Sequence, residues 1–325
     1  MTFALKKRSE YIESLSLQTA EPTTEPTEEP TPTPVITPHP IFSKSETDGG
    51  LGPEIFEKSE FPGQVVTLEY TTDDYDGYFV DIVKSMRVYL PYGYDASKKY
   101  NVLILLHGSD GSDKYWFDEP RWYNDPDYLN SYECYTNNVL DNMIANGLCE
   151  PLIVISPTYY LTNSWRMEGD LTLRDSYQFK KELREDILPA LAAHYSVYDV
   201  GDRDHYAFIG ASHGAEICYN GILSDDLDLI SWFGVVSGCE GNIYYLEESW
   251  QKNGFENLDI KFFYVSAGEF DFMKEDSYNG YLEMKKYSSK VSEQNTDYIS
   301  IRSSTHEDIV WIDAIYNCLQ IFFTY

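Results

Sequence analysis

The chain is 325 residues long and 42% hydrophobic, enough to bury one large core or two smaller ones. Its 54 Asp and Glu against 24 Lys and Arg give a formal net charge of −30, which argues against nucleic acid and anionic membranes as partners. It has no run of 18 apolar residues to span a bilayer and no Cys-x-x-Cys pair to hold zinc, so neither a membrane segment nor a metal is expected. Five cysteines, at 134, 149, 218, 239 and 318, leave at least one thiol unpaired, and most are expected to be reduced and buried.

Residues 1–18 lack the apolar core of a signal peptide and remain unassigned. From Thr19 to Pro40 there are seven Pro, seven Thr and four Glu. Such a stretch buries almost nothing, so residues 19–42 read as an extended, polyproline-like tether. Fully extended it would span roughly 70 Å at about 3.1 Å per residue. A folded domain is expected over 43–325. Within it, Val65 to Thr72 and Ser85 to Leu90 alternate as sheet strands do. Asn101 to Leu106 and Leu152 to Ser156 are continuous apolar runs, the pattern of strands buried on both faces. Glu133 to Leu148 and Arg174 to Tyr195 have helical spacing. Further strands are predicted at Tyr206–Ile209, Trp232–Val236, Lys261–Ser266 and Tyr298–Arg302, and a terminal helix at Asp308–Phe323. Strands alternating with helices imply an α/β fold, a mainly parallel central sheet with helices on both faces.

The strand Tyr206–Ile209 runs into Gly210-Ala211-Ser212-His213-Gly214, a Gly-x-Ser-x-Gly sequence followed by a helical segment. This is the sequence form of a nucleophile elbow, in which a tight turn holds a serine hydroxyl out beside a base. Activation needs a histidine and a carboxylate to orient it, in the chain order serine, acid, histidine. Only His213 and His306 follow Ser212, and a side chain adjacent in sequence points away from the hydroxyl, which leaves His306. The acid is expected after the strand Lys261–Ser266. Asp271 is favoured there, with Glu269 and then Asp276 as alternatives. Acyl transfer also needs N–H donors aimed at the developing oxyanion. One is expected from His213, just after the serine. The other is expected from Ser109 or Gly108, in the loop His107-Gly108-Ser109-Asp110-Gly111 after the Leu103–Leu106 run. Trp116, Phe117, Trp122 and Tyr123 follow that loop and are candidates for a substrate-pocket wall or for a hydrophobic patch beneath a lid. Two acidic runs, Asp73-Asp74-Tyr75-Asp76 and Asp225-Asp226-Leu227-Asp228, lack the spacing of a calcium loop and read as solvated carboxylates. The 29 tyrosines suit half-buried clefts and carbohydrate-facing surfaces, but most are expected simply to reflect a Tyr-rich strand and surface composition.

Several of these segments together resemble one family. Val65-Val66-Thr67-Leu68-Glu69-Tyr70, Met86 to Tyr94, Leu105-Leu106-His107-Gly108, Glu182-Leu183 with Ile187-Leu188-Pro189, the Ser212 elbow, Gly268-Glu269-Phe270-Asp271 and His306 are similar to the esterase modules attached to bacterial xylanases. These are the feruloyl esterase type of carbohydrate esterase family 1, related to esterase D, and the similarity runs from about Glu60 to the C-terminus. It implies an α/β-hydrolase fold, no cofactor, a Ser212–Asp271–His306 triad and hydrolysis of feruloyl or acetyl esters on acylated plant xylan. An esterase D-like hydrolase of small esters or thioesters, or an inactive carbohydrate-binding module, is the alternative. His213 replaces the methionine usual after the serine, and the loop after Gly108 is poorer in glycine than in the family. The Pro-Thr tether resembles linkers of secreted modular polysaccharide-degrading enzymes. That resemblance implies a secreted protein, with either a true start further upstream or a place as one module of a longer polyprotein that joins it to a glycoside hydrolase or binding module.

Overall fold

The fold was obtained as a computed structural model, which describes residues 51–75, 80–109, 111–117, 135–160, 178–239, 241 and 243–324. Eight strands form one sheet: β1 Gln64–Thr72, β2 Ile82–Leu90, β3 Asn101–Leu106, β4 Leu152–Ser156, β5 Tyr206–Ala211, β6 Trp232–Val236, β7 Phe262–Gly268 and β8 Thr296–Ile301. Their order is β1-β2-β4-β3-β5-β6-β7-β8. β1 and β2 are antiparallel to their neighbours, and β4 to β8 with β3 between them are parallel. The expected α/β-hydrolase architecture is therefore present.

β3 explains the two-layer core. All six of its residues are buried. Val102, Ile104 and Leu106 join the cluster that contains Phe179, Leu183 and Leu191 on one face. Leu103 and Leu105 join the cluster of Val139, Met143 and Ile315 on the other. A strand covered on both sides has no polar face to expose, hence the unbroken apolar run in the sequence.

Among the described residues the helices with defined bounds are α1 Tyr135–Ala145, α2 Leu188–His194, α3 His213–Ile217, α4 Leu223–Asp225, α5 Leu246–Asn253, α6 Lys274–Tyr287 and α7 Asp308–Leu319. α1 stops short of the predicted Leu148 because Gly147 takes a left-handed conformation (φ +66°). The N–H groups of Gly147 and Leu148 then turn back to the carbonyls of Ile144 and Met143, which closes the helix end. A π-helical turn, Leu183–Ile187, leads into α2, and another, Cys218–Ile222, joins α3 to α4. β5 and β7 run two residues further than predicted, and α7 ends at Leu319 rather than Phe323.

In the acidic run at 225–228 Asp225 and Asp228 are half-buried and Asp226 is buried, and all three carboxylates are paired with cations, where the sequence expectation was simple solvation. Arg184 reaches Asp226 at 2.8 Å and Asp228 at 2.5 Å, and Lys180 pairs with Asp225. Asp226 is buried, and burial pushes its carboxyl up to about 7 against the pull of Arg184. The run thus pins the helical segment before α2 to the end of α4. At 73–76, Asp74 is buried and the Asp73 carboxylate accepts the Asp81 N–H at 2.9 Å. Cys149, Cys218, Cys239 and Cys318 are free thiols.

Candidate active site

The sheet order reverses at β3: the chain crosses to β4 on one side and then to β5 on the other. In open parallel sheets the crevice at such a switch point, beyond the carboxyl ends of the strands, is where ligands bind. The end of β3 carries His107-Gly108-Ser109, and the end of β5 carries Ser212.

Ser212 sits between β5 and α3 with φ 54° and ψ −119°, a conformation non-glycine residues rarely adopt. Its N–H is held by the Val236 carbonyl of β6 at 2.8 Å. The flanking glycines make the turn possible. A Cβ on Gly210 would lie 2.2 Å from the Gly214 oxygen, and one on Gly214 would lie 2.5 Å from the Leu106 oxygen. Steric exclusion, not flexibility, requires glycine at both positions.

His306, on the loop between β8 and α7, reaches Ser212 Oγ through Nε2 at 3.0 Å. Its Nδ1–H donates to Asp271 Oδ1 at 2.9 Å. Asp271 follows β7 and is buried, and it also accepts the Met273 N–H at 2.8 Å. Burial pushes its carboxyl up. Hydrogen bonds from His306 and the Met273 N–H, with the polar Ser237 hydroxyl nearby, outweigh that and leave it below the ordinary aspartate value. Glu269 is directed elsewhere: its carboxylate accepts the Ser303 N–H at 2.9 Å. Asp276 is exposed in the first turn of α6. The structure therefore brings together Ser212, His306 and Asp271. A hydroxyl hydrogen-bonded to an imidazole whose far nitrogen is held by a buried carboxylate is poised for proton removal.

Gly108 lies against the serine, where a Cβ would stand 3.0 Å from Ser212 Cβ and 3.5 Å from Oγ. His213 opens α3, where backbone N–H groups have no intrahelical acceptor. Its ring turns away from Ser212 to Glu216, with Nδ1 2.6 Å from the carboxylate, as adjacency in sequence required. Among the described residues no three His, Cys, Asp or Glu side chains converge where a metal ion could be held.

The expected pocket wall needs correction. Trp116 and Phe117 are 0% and 3% exposed and belong to the core. Phe117 stacks on Tyr89 at 6.3 Å, and Trp116 meets Trp311 edge-on at 6.5 Å. The segment after Gly111 turns inward, so its aromatic rings complete the core instead of facing substrate. Trp311 in turn meets the His306 ring edge-on at 5.5 Å, which puts this aromatic cluster beneath the histidine. Trp122 and Tyr123 lie outside the described residues.

Two features escaped the sequence reading. Phe272 is 74% exposed, with its ring 4.4 Å from that of His306, and Phe270 is 67% exposed. Tyr159 and Tyr160, beyond β4, donate hydrogen bonds to the carbonyls of Gly108 (3.0 Å) and Ser109 respectively. The signal available was position: each follows the carboxyl end of a parallel strand, the edge on which such folds build sites.

Comparison with known proteins bears on the family and the fold. The family model Esterase matches residues 84–218. Endo-1,4-beta-xylanase Y of Acetivibrio thermocellus is 27% identical over 282 residues, which are 80% of this chain and 23% of that protein. The chain thus spans about a quarter of that relative's length. A point mutant of the feruloyl esterase module from Clostridium thermocellum, complexed with sinapinate, superposes with TM-score 0.67 at 25% identity. The match covers 85% of this chain and 93% of that one. A carbohydrate esterase family 1 ferulic acid esterase from Anaeromyces mucronatus shares the fold, with TM-score 0.65 at 17% identity over 84% of this chain and 96% of that one. Sequence and fold together make the chain an ester-hydrolysing serine hydrolase similar to the feruloyl esterase modules of carbohydrate esterase family 1.

Proposed function

We propose that the chain is a feruloyl esterase that releases aromatic acyl groups from plant xylan through Ser212, His306 and Asp271. The observation that carries this reading is the continuous hydrogen-bonded chain from Ser212 Oγ through His306 to buried Asp271, beside the Gly108 loop. Ser212 Oγ attacks the ester carbonyl while His306 Nε2 takes its proton. Asp271 holds the ring orientation and balances the imidazolium charge. The N–H groups of His213 and Ser109 receive the oxyanion. Collapse breaks the bond to the sugar oxygen, which leaves as an alcohol with the proton from His306. Water then attacks the acyl-enzyme, giving its proton to His306, and the acid is released with Ser212 restored.

An aromatic acyl group is favoured by Phe272, which offers an open ring face next to His306. Offset stacking contributes about 0.5–1.5 kcal/mol per ring pair beyond area burial. The composition of 19–42 supports reading 43–325 as an esterase module of a secreted plant cell-wall-degrading enzyme, joined through this tether to a glycoside hydrolase or binding module. The test is turnover of methyl ferulate against acetylated xylan, with Ser212→Ala as control. Ser212→Ala should stay folded and lose kcat by roughly 10⁴ to 10⁶. Retention of more than about a tenth of the activity would exclude Ser212 as nucleophile. Acetate release without ferulate release would make the enzyme an acetylxylan esterase with the same triad.

A further inference from the structure

We infer that the Gly108 carbonyl is an anchor with three donors that orients and polarises the oxyanion-binding peptide, and that His107 and Tyr159 are positioning residues for ester hydrolysis. This rests on the proposed role of the Ser109 N–H. The Gly108 oxygen accepts the His107 Nδ1–H at 2.6 Å, the Tyr159 hydroxyl at 3.0 Å and the Gly111 N–H at 3.1 Å. A trans peptide carries its C=O and the following N–H on opposite sides. Donors that pin the Gly108 oxygen therefore direct the Ser109 N–H the other way. Among the described residues that N–H donates to no protein acceptor.

The anchor answers a problem set by the glycine. Gly108 must lack a Cβ to approach Ser212 so closely. A residue without Cβ also tolerates the flipped peptide, in which the oxygen, not the N–H, faces the reaction centre. The donors on the Gly108 oxygen, two from the loop itself and one from Tyr159, decide between the two states. They also withdraw charge through the amide, and hydrogen bonds in such chains strengthen one another by roughly 10–30% per bond.

Both side chains are themselves held. Burial pushes the His107 imidazole down to about 3, so it stays neutral, with one N–H to give. That proton lies on Nδ1 because Nε2, 2.8 Å from Thr158 Oγ1, accepts the threonine hydroxyl. The Thr158 carbonyl accepts Lys84 Nζ at 2.8 Å, and buried Lys84 is paired with Glu182 at 2.6 Å. Tyr159 stacks on His107 at 4.6 Å and meets the His213 ring at 5.1 Å. Its hydroxyl has a second acceptor, the Tyr160 oxygen at 3.3 Å, but that contact is the longer one. Tyr160 donates to the Ser109 carbonyl, so the next peptide is fixed too.

The test uses Tyr159→Phe, which removes one oxygen, and His107→Ala against His107→Asn, which restores a donor near Nδ1. Turnover of p-nitrophenyl acetate separates kcat from KM, and phenylboronic acid reads affinity for a tetrahedral adduct on the serine. Displacing one oxyanion donor without removing it should cost less than the roughly 10²–10³ of outright loss. Tyr159→Phe should therefore lower kcat about 10-fold with KM within about twofold, and weaken boronate binding by the same factor. His107→Ala, which removes the shorter hydrogen bond, should cost roughly 30-fold, with partial recovery in His107→Asn. The inference is overturned if folded Tyr159→Phe keeps kcat within about twofold, or if its loss falls on KM with boronate affinity unchanged. If Tyr159→Phe does not fold, equal kcat in the two His107 variants overturns it. Ser212→Ala separates the two levels: if it abolishes turnover while the anchor variants are silent, only the anchor fails, and if it retains turnover, both fail.

Discussion

Two carboxylates two residues apart, Glu269 and Asp271, are equivalent candidates by composition and opposite in role by geometry. Asp271 is buried with its Oδ1 on the His306 ring, whereas Glu269 caps the Ser303 N–H on the neighbouring loop. Asp271→Asn should lower kcat by roughly 10⁴, because the amide no longer fixes the imidazole tautomer or balances its charge. Glu269→Gln should leave kcat within a few-fold. Kinetics on methyl ferulate check the pair, and reversed phenotypes would move the orienting role to Glu269. The strained backbone of Ser212 belongs to the same scale. A residue held at φ 54° and ψ −119° costs of order 1–3 kcal/mol, offset here by the hydrogen bond to Val236 and the close fit of Gly210 and Gly214.

At the level of elements, the helix α7 does two jobs. Its first turn follows the His306 loop, and its middle packs into the core beneath the site. Asp313 lies in that buried middle. Burial pushes its carboxyl up to about 6, against a hydrogen bond from Asn317 at 2.5 Å. An acid whose folded value is raised binds protons more tightly in the folded state. Its contribution therefore falls as pH rises from the unfolded carboxylate value, near 4, through about 6, and is constant above that. Asp313→Asn removes this dependence. The stability difference between variant and wild type should shift in favour of the variant by roughly 1–3 kcal/mol between pH 4 and pH 8. Any constant cost of the new amide is the same at both pH values and cancels. Urea melts at the two pH values check it, and a pH-independent difference would show that Asp313 is ionised at no extra cost.

Across the whole molecule, the parallel strands deliver every part of the site to one edge of the sheet: the Gly108 loop from β3, Ser212 from β5, Asp271 from β7 and His306 from β8. By composition residues 19–42 have little to offer a core, with seven prolines and almost no large apolar side chains between Thr19 and Pro40. Deleting residues 1–42 should leave the melting temperature and kcat on soluble esters unchanged. On the proposed function, activity on insoluble cell-wall material is where loss of the segment should be felt. A large fall in melting temperature on truncation, followed by calorimetry, would show that the segment docks on the domain.

The strands, the elbow and the chain order of serine, acid and histidine were legible without coordinates, because each is written in local pattern. Apolar runs mark doubly buried strands, Gly210 and Gly214 mark the turn, and two histidines after Ser212 left one candidate. The pairing of Arg184 with the 225–228 carboxylates, the inward turn of Trp116 and Phe117, and the closure of Tyr159 on Gly108 were not legible. Each joins segments more than 40 residues apart or depends on which way a loop turns off the sheet. A tryptophan after a strand reads alike whether it lines a cleft or fills a core, and only the neighbours brought by the fold determine which free energy it lowers.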